Sequence, residues 1–177
     1  MTSPGVAMAH VALSVSNLER SLAFYRDGLR LPAGDVYSAS GRGVSALMAV
    51  PRSGFRGVFL ECGAVHVELL EYAEALTVPA TSRDPRTIGF AHISLIVDSL
   101  DDTVRSALAR GGAFCAELGR AFGDGAKTRI AFLTDPDLNR VELIEHPDSL
   151  ERGAHSRFLG GERLRWPRSA QDGVGLR

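Results

Sequence analysis

The chain has 177 residues, 45% of them hydrophobic and 23% charged, and its formal net charge at pH 7 is −1. This composition indicates a soluble globular protein of one domain, or of two small modules with a shared core, and gives no electrostatic reason to expect nucleic acid or a membrane as a partner. No apolar run approaches the roughly 18 residues of a membrane span, and the first residues lack the build of a signal peptide, so we expect a cytoplasmic protein.

A strand followed by an amphipathic helix is predicted at the start of the chain. Apolar residues alternate with small or polar ones over residues 9–15, which is the period of a strand with two different faces. Asn17 stands where a helix N-cap is expected, and apolar residues then recur at helical spacing up to Gly28. We expect the apolar face of the strand to pack on this helix.

The rest of the first half is predicted to form a meander of three strands. We place them at residues 44–50, 57–61 and 64–72, with a tight turn near Gly63 between the last two. In the last strand alternate side chains share one face. The residues of that face are His66, Glu68, Leu70 and Tyr72.

The second half repeats this order of elements after a linker at residues 73–89. A strand at 90–97 leads into a helix that Asp98 or Ser99 caps and that ends at a pair of glycines. Further strands are predicted near residues 113–117, 128–134 and 140–145. Each half is therefore a βαβββ module and the fold class is α+β.

One domain over residues 8–146 follows from this order of elements. Its modules span 8–72 and 90–146. The tail at 147–177 is predicted either to cap the core or to be disordered, and the pattern does not choose between the two.

Two histidines and two glutamates occupy equivalent places in an internal repeat. Residues 9–18 recur at 91–100 with five of ten positions identical, including His10 and His92. The last strand of each module carries Glu68 or Glu142 among apolar residues, where a carboxylate is costly to bury unless it is paired or bound to a cation. Two imidazoles and two carboxylates suit a divalent metal ion, and the repeat favours this over core histidines and solvent-facing glutamates.

The segments HVALSVSNLERSLAFYRDGL and DPDLNRVELIEH resemble the signature regions of the vicinal oxygen chelate superfamily. It includes glyoxalase I, methylmalonyl-CoA epimerase, the extradiol dioxygenases and the fosfomycin and bleomycin resistance proteins. The resemblance covers residues 8–146 and implies that the strands curl into a U-shaped mixed-sheet cup. It also implies a divalent metal ion (Ni, Co, Zn, Mn or Fe) inside the cup, a small-molecule substrate and a homodimer.

Glu68 helps to distinguish the branches of this superfamily. Glyoxalase I resembles the pattern here, with glutamate as the fourth ligand, whereas the epimerase has glutamine there and the extradiol and fosfomycin enzymes need no ligand. The stretch RGVSALMAVP and the long segment before His92 are more similar to the epimerase. However, the residue that matches the catalytic glutamate of the epimerase on this strand is Ala46. Glu61 or His66 would have to replace that base.

The chemistry that the resemblance implies is proton removal next to a carbonyl, with an enolate that the metal stabilises. In glyoxalase I a metal-bound glutamate takes the proton, and the equivalent candidates here are Glu68 and Glu142. His66 is a further acid/base candidate. The first hypothesis is therefore an isomerase, epimerase or lyase acting on a small hydroxy-carbonyl compound or an acyl thioester.

Two other functions remain open from the sequence. An Fe(II)-dependent extradiol-type dioxygenase would use His10, His92 and Glu142 as a facial triad. A metal-free antibiotic-binding resistance protein would use the cup alone, but the complete ligand set argues against it.

Four arginines and two cysteines are the remaining residues with a candidate role. The candidate contacts for an anionic substrate are Arg83, Arg86, Arg129 and Arg140, although scattered surface arginines are common. Cys62 and Cys115 lack CxxC spacing, which predicts buried thiols rather than a disulfide framework.

Overall fold

The computed structural model describes residues 5–50, 54–74, 88–115 and 129–145. Most of the predicted linker, the end of the strand predicted at 113–117, and the whole tail lie outside these described residues. Arg83 and Arg86 lie outside them as well. Within the ranges given above, no helix combines the length and the hydropathy that crossing a bilayer requires.

The first module is a four-stranded mixed sheet in the order β1-β4-β3-β2. Strand β1 is His10–Ser14, β2 is Tyr37–Ala39, β3 is Phe55–Cys62 and β4 is Val65–Tyr72. The pairing of β1 with β4 is parallel and the other pairings are antiparallel. Helix α1, Leu18–Leu22, continues as a π-helical segment over Ala23–Gly28. The predicted N-cap is confirmed, because the Asn17 side chain accepts a hydrogen bond of 2.8 Å from the Arg20 backbone N–H.

The prediction of a strand over residues 44–50 is wrong. Residues Arg42–Leu47 instead form a short helix, α2, and the second strand of the sheet is the earlier and shorter Tyr37–Ala39. Alanine, leucine and methionine are strong helix formers. Because β3 pairs with Tyr37–Ala39 instead, this segment is free to follow its local preference for a helix. Ala46, matched above to a catalytic position on a strand, consequently lies in a helix.

The second module repeats the first with the sheet order β5-β8-β7-β6. The strands are β5, Ile93–Ile96; β6, Ala113–Phe114; β7, Arg129–Thr134; and β8, Arg140–Glu145. Helix α3, Leu100–Leu108, is capped by Ser99, one of the two predicted caps. The predicted α+β fold of two βαβββ modules is confirmed. Strand β5 is shorter than predicted, so His92 lies one residue before it.

The helical faces of both sheets belong to one hydrophobic core. Alternate residues such as Leu13, Leu69 and Leu143 are buried in a single cluster that spans both modules. The first module's helical segment contacts α3: a Cβ added at Gly28 would lie 3.3 Å from the Ala107 Cα. The polar side chains of the strands therefore lie on the faces turned away from this shared core.

A hydrogen-bonded loop before β8 joins the two modules. The fully buried Tyr25 hydroxyl donates to Asp135 Oδ2 at 3.0 Å. Asp135 also accepts from the backbone N–H groups of Asp137 at 2.9 Å and Asn139 at 2.7 Å, which satisfies its buried carboxyl. Desolvation raises the pKa of this carboxyl. The contact orients the second module against the helix of the first.

Candidate metal site

Strands β1 and β4 bring His10 and Glu68 together on the open face of the first sheet. Ala12 lies opposite Glu68 in the parallel register of β1 and β4. His10 lies two residues before Ala12 on the same face, so its side chain reaches the Glu68 carboxylate. His10 Nε2 is 3.2 Å from Glu68 Oε2. Glu68 is 8% exposed, which means that its carboxylate depends on these partners rather than on water.

Tyr37 holds the second oxygen of Glu68. Its hydroxyl, which comes from β2, donates to Glu68 Oε1. Tyr37 lies opposite Gly57 on β3, where an added Cβ would be 2.5 Å from the tyrosine oxygen, so the approach requires a glycine. The ring stacks on Phe59 with a centroid distance of 5.6 Å. Burial, together with the Glu68 carboxylate, raises the pKa of the Tyr37 hydroxyl, so it remains a donor at neutral pH.

Sequence reasoning did not identify Tyr37. It precedes the segment that was predicted as the second strand, and nothing in its local pattern connects it with Glu68. Gly57, a glycine inside a strand, is the signal that could have indicated the close approach of another group.

The second module builds the equivalent pair with a different donor. Ser94 lies opposite Glu142 in the register, and its hydroxyl donates to Glu142 Oε2 at 2.6 Å. His92 Nε2 is 3.5 Å from the same oxygen. Ser94 is the repeat equivalent of Ala12, which has no hydroxyl. Among the described residues no hydrogen bond reaches the other carboxylate oxygen, Glu142 Oε1.

A phenylalanine supports each histidine. Phe59 is the cross-strand neighbour of Glu68, and Phe132 is that of Glu142. The ring of Phe59 is 5.5 Å from that of His10, and the ring of Phe132 is 5.4 Å from that of His92, both edge to face. Such contacts restrict the imidazole orientations.

Each pair has the donors and the spacing of two ligands of one metal ion. Imidazole nitrogen and carboxylate oxygen both bind zinc at about 2.0–2.2 Å, so two such ligands of one ion lie roughly 3–3.5 Å apart. The distances of 3.2 Å and 3.5 Å fall in this range. Each pair supplies only two ligands, however, because in the described ranges no three His, Cys, Asp or Glu residues are close enough to share an ion.

His66 and Tyr72 lie on the same face of β4 as Glu68. His66 lies on the open face two residues before Glu68, opposite Glu61, with its ring 6.2 Å from that of Phe59. Tyr72 packs near Phe55 with ring centroids 5.9 Å apart. In the part of the chain that the structure describes, neither side chain forms a hydrogen bond with the Glu68 carboxylate. The catalytic role of His66 stays a prediction.

Arg129 and Arg140, the two candidate arginines among the described residues, differ in their contacts. Arg129 donates to Asp101 at 2.6 Å and reaches Glu145, so its charge is already engaged. The Arg140 guanidinium instead lies over the Phe132 ring, 5.1 Å from its centroid.

The two cysteines form no disulfide. Cys62 and Cys115 are unpaired, and burial raises the pKa of both thiols.

Comparison with known proteins identifies a family over most of the chain. Residues 7–143 match the model described as Glyoxalase/Bleomycin resistance protein/Dioxygenase superfamily. The chain is 30% identical over 156 residues to the lactoylglutathione lyase-like protein terB of Aspergillus terreus, which covers 82% of this chain and 78% of that protein.

Two further comparisons differ in how much of the other protein they cover. A probable chloroplastic lactoylglutathione lyase of Arabidopsis thaliana is 29% identical over 139 residues, 78% of this chain but 35% of that protein, so the chain spans about a third of its length. A solved glyoxalase family protein from Bacillus cereus shares the fold with a TM-score of 0.62 at 16% identity, covering 82% of this chain and 98% of that one.

Proposed function

Since the chain belongs to the glyoxalase/bleomycin resistance protein/dioxygenase superfamily, we propose that it is a divalent-metal-dependent isomerase, epimerase or lyase that removes a proton next to a carbonyl. The observation that supports this most directly is the pair of His–Glu contacts at equivalent positions of the two modules. A repeat that only built a core would not need a carboxylate beside an imidazole twice, once buried at Glu68 and once half-buried at Glu142.

The residues that would hold the metal ion are His10, Glu68, His92 and Glu142. When bound, a divalent ion (Ni, Co, Zn, Mn or Fe) supplies a Lewis acid for the negative charge that develops on a carbonyl oxygen. Both glutamates already have a hydroxyl donor, from Tyr37 or Ser94, which orients the carboxylate before any ion binds.

We further propose that a homodimer completes the site. One chain offers two half-sites of two ligands each, on the sheet faces turned away from the shared core. Because the helical segment of the first module packs on α3 of the second, the two open faces are not turned toward each other within one chain. A second copy can place its His92–Glu142 pair beside the His10–Glu68 pair of the first, and the reverse, in a closed two-fold arrangement.

The contacts of the two glutamates support different roles for them. Both oxygens of Glu68 are engaged, one by Tyr37 and one by His10, which suits a fixed ligand. The Ser94 and His92 contacts of Glu142 fall on one oxygen, and within the described ranges no hydrogen bond occupies the other, which is the proposed acceptor of the substrate α-proton. His66, exposed on the face of Glu68, is the proposed group that exchanges this proton with solvent.

The same contacts weigh against the dioxygenase alternative. A facial triad of His10, His92 and Glu142 leaves Glu68 as a bystander, yet Glu68 is the more buried of the two glutamates and is held on both oxygens. The substrate class we propose is a small hydroxy-carbonyl compound or an acyl thioester. The names of the relatives make lactoylglutathione the first compound to test.

The proposed function predicts bound metal and α-proton exchange together. We expect elemental analysis of the purified protein to give one equivalent of Ni, Co, Zn or Mn per chain, and chelation to lower the melting temperature, because the ion binds only the folded state. Incubated with lactoylglutathione in D2O, the loaded protein should exchange the α-hydrogen for deuterium, seen by proton NMR. Iron lost in air would instead favour the dioxygenase, and the absence of any stabilisation by added metals would leave only a metal-free binder.

Replacement of Tyr37 by phenylalanine should weaken metal binding by about 10-fold or more. The change removes the donor to Glu68 Oε1 and keeps the ring stacked on Phe59, and partners of this kind typically change metal affinity 10–100-fold. A competition titration with a coloured chelator measures the affinity, and the visible absorption of the Co(II) form reports ligand geometry. Tyr72→Phe is the matched control on the same face; equal losses in both variants would contradict the role of Tyr37.

A further inference from the structure

We propose that Arg140 binds an anionic group of the substrate, so that the substrate is a carbonyl compound carrying a carboxylate a few bonds from the reacting carbon. This inference rests on the proposed function for the identity of the reacting site. The binding of the anion itself depends only on the surroundings of Arg140.

The first support is the position of Arg140 in the second sheet. It lies on β8 two residues before Glu142, so the two side chains share the open face with their Cα atoms roughly 7 Å apart. Strand β8 is central, between β5 and β7, and Arg140 is half-buried rather than at an exposed edge. An anion held here would lie beside the half-site, not at a distant surface.

The second support is the contact that orients the guanidinium. It lies over the ring of Phe132, 5.1 Å from the centroid, and the same ring packs edge to face against His92. A guanidinium stacked on an aromatic face is fixed in its plane while its N–H edge remains free for hydrogen bonds. That edge matches a carboxylate in bidentate geometry.

The third support is charge. The other arginines on described strands, Arg56 and Arg129, each contact two carboxylates. Arg140 contacts no carboxylate among the described residues, although it lies over the Phe132 ring that packs against His92. Its charge is therefore available to a ligand.

The repeat shows that this charge is specific to the second module. The equivalent position of the first module is His66, which also lies beside a phenylalanine, Phe59. Glu61 is the cross-strand neighbour of His66, whereas the neutral Thr134 is that of Arg140. The two modules thus present different charges around one proposed site, which would orient an asymmetric substrate with its anionic end toward Arg140.

Benzoate and its neutral analogue benzamide are the probes for this site. In NMR titrations of the full chain we expect Arg140→Gln to weaken benzoate binding by about 10-fold or more, because two charge-assisted hydrogen bonds are lost, and to leave benzamide binding unchanged. Arg140→Lys keeps the charge without the planar fork and should fall between the two. Arg129→Gln, on the same sheet with its charge already paired, is the control and should behave as the wild type.

The outcomes separate this inference from the proposed function. Benzoate binding that is equally strong in Arg140→Gln, or undetectable in the wild type, would overturn the anion site. Metal content measured on the same samples tests the proposed function independently: we expect Arg140→Gln to keep its metal. A wild type without metal that still binds benzoate through Arg140 would refute the metal-dependent function and leave the anion site standing.

Discussion

His92→Ala is expected to lower metal affinity by more than about 100-fold, because even groups outside the ligand set change affinity 10–100-fold and an imidazole ligand contributes directly. In the structure His92 Nε2 is 3.5 Å from Glu142 Oε2, and its ring packs against Phe132. Elemental analysis of the dialysed variant should show far less than one equivalent of metal. We expect the same loss for His10→Ala, whose imidazole occupies the equivalent place.

The matched control for this loss is His66→Ala. His66 is an exposed histidine on the same open face as His10, but among the described residues it forms no ion pair with Glu68 or Glu142, unlike His10 and His92. The variant should keep its metal. Full stoichiometry in His92→Ala, or equal loss in His66→Ala, would refute the assignment of these ligands.

Mixing two inactive variants is expected to restore metal binding. If a site is built from the first module of one copy and the second module of another, a dimer of His10→Ala with His92→Ala contains one intact site and one doubly broken site. Random pairing makes half of the dimers mixed, so the mixture should bind about a quarter of the wild-type metal per chain. Each variant alone should bind almost none.

A second mixture controls for nonspecific recovery. His10→Ala and Glu68→Gln both damage the first module, so every site in their mixed dimer has one broken half and no metal should return. The copies carry different affinity tags, which shows that mixed dimers have formed. Mixed dimers of His10→Ala and His92→Ala without metal would contradict the shared site and place all four ligands in one chain.

The fold and the two half-sites were accessible from periodicity and repetition. Strand alternation predicted that His10 and Glu68 lie on the face opposite to the buried leucines, and the parallel register of β1 and β4 confirms that they share it. The repeat then placed His92 and Glu142 in the same relation. Alternation along a strand is a local feature and the repeat is a comparison of the chain with itself, so a single sequence shows both.

The hydroxyl donor to Glu68, Tyr37, could not be predicted from these sequence features. Tyr37 reaches Glu68 from the far strand of the sheet, across the space that Gly57 leaves open. The pattern of residues 44–50 predicts the second strand in the wrong place, because this segment begins as a helix. Propensity within residues 44–50 cannot reveal which segment will pair with β3, because that choice depends on packing between strands distant in sequence.

The sequence alone therefore established the βαβββ repeat, the open and buried faces of its strands and the chemistry of the four candidate ligands. Only the tertiary structure decided how those ligands are grouped. Contacts between Gly28 and Ala107 and between Tyr25 and Asp135 pack the helical sides of the modules together, and the candidate ligands lie in two His–Glu pairs on the opposite faces. Periodicity determines which face of an element is apolar, but the relative orientation of two modules depends on the shapes of the surfaces that meet.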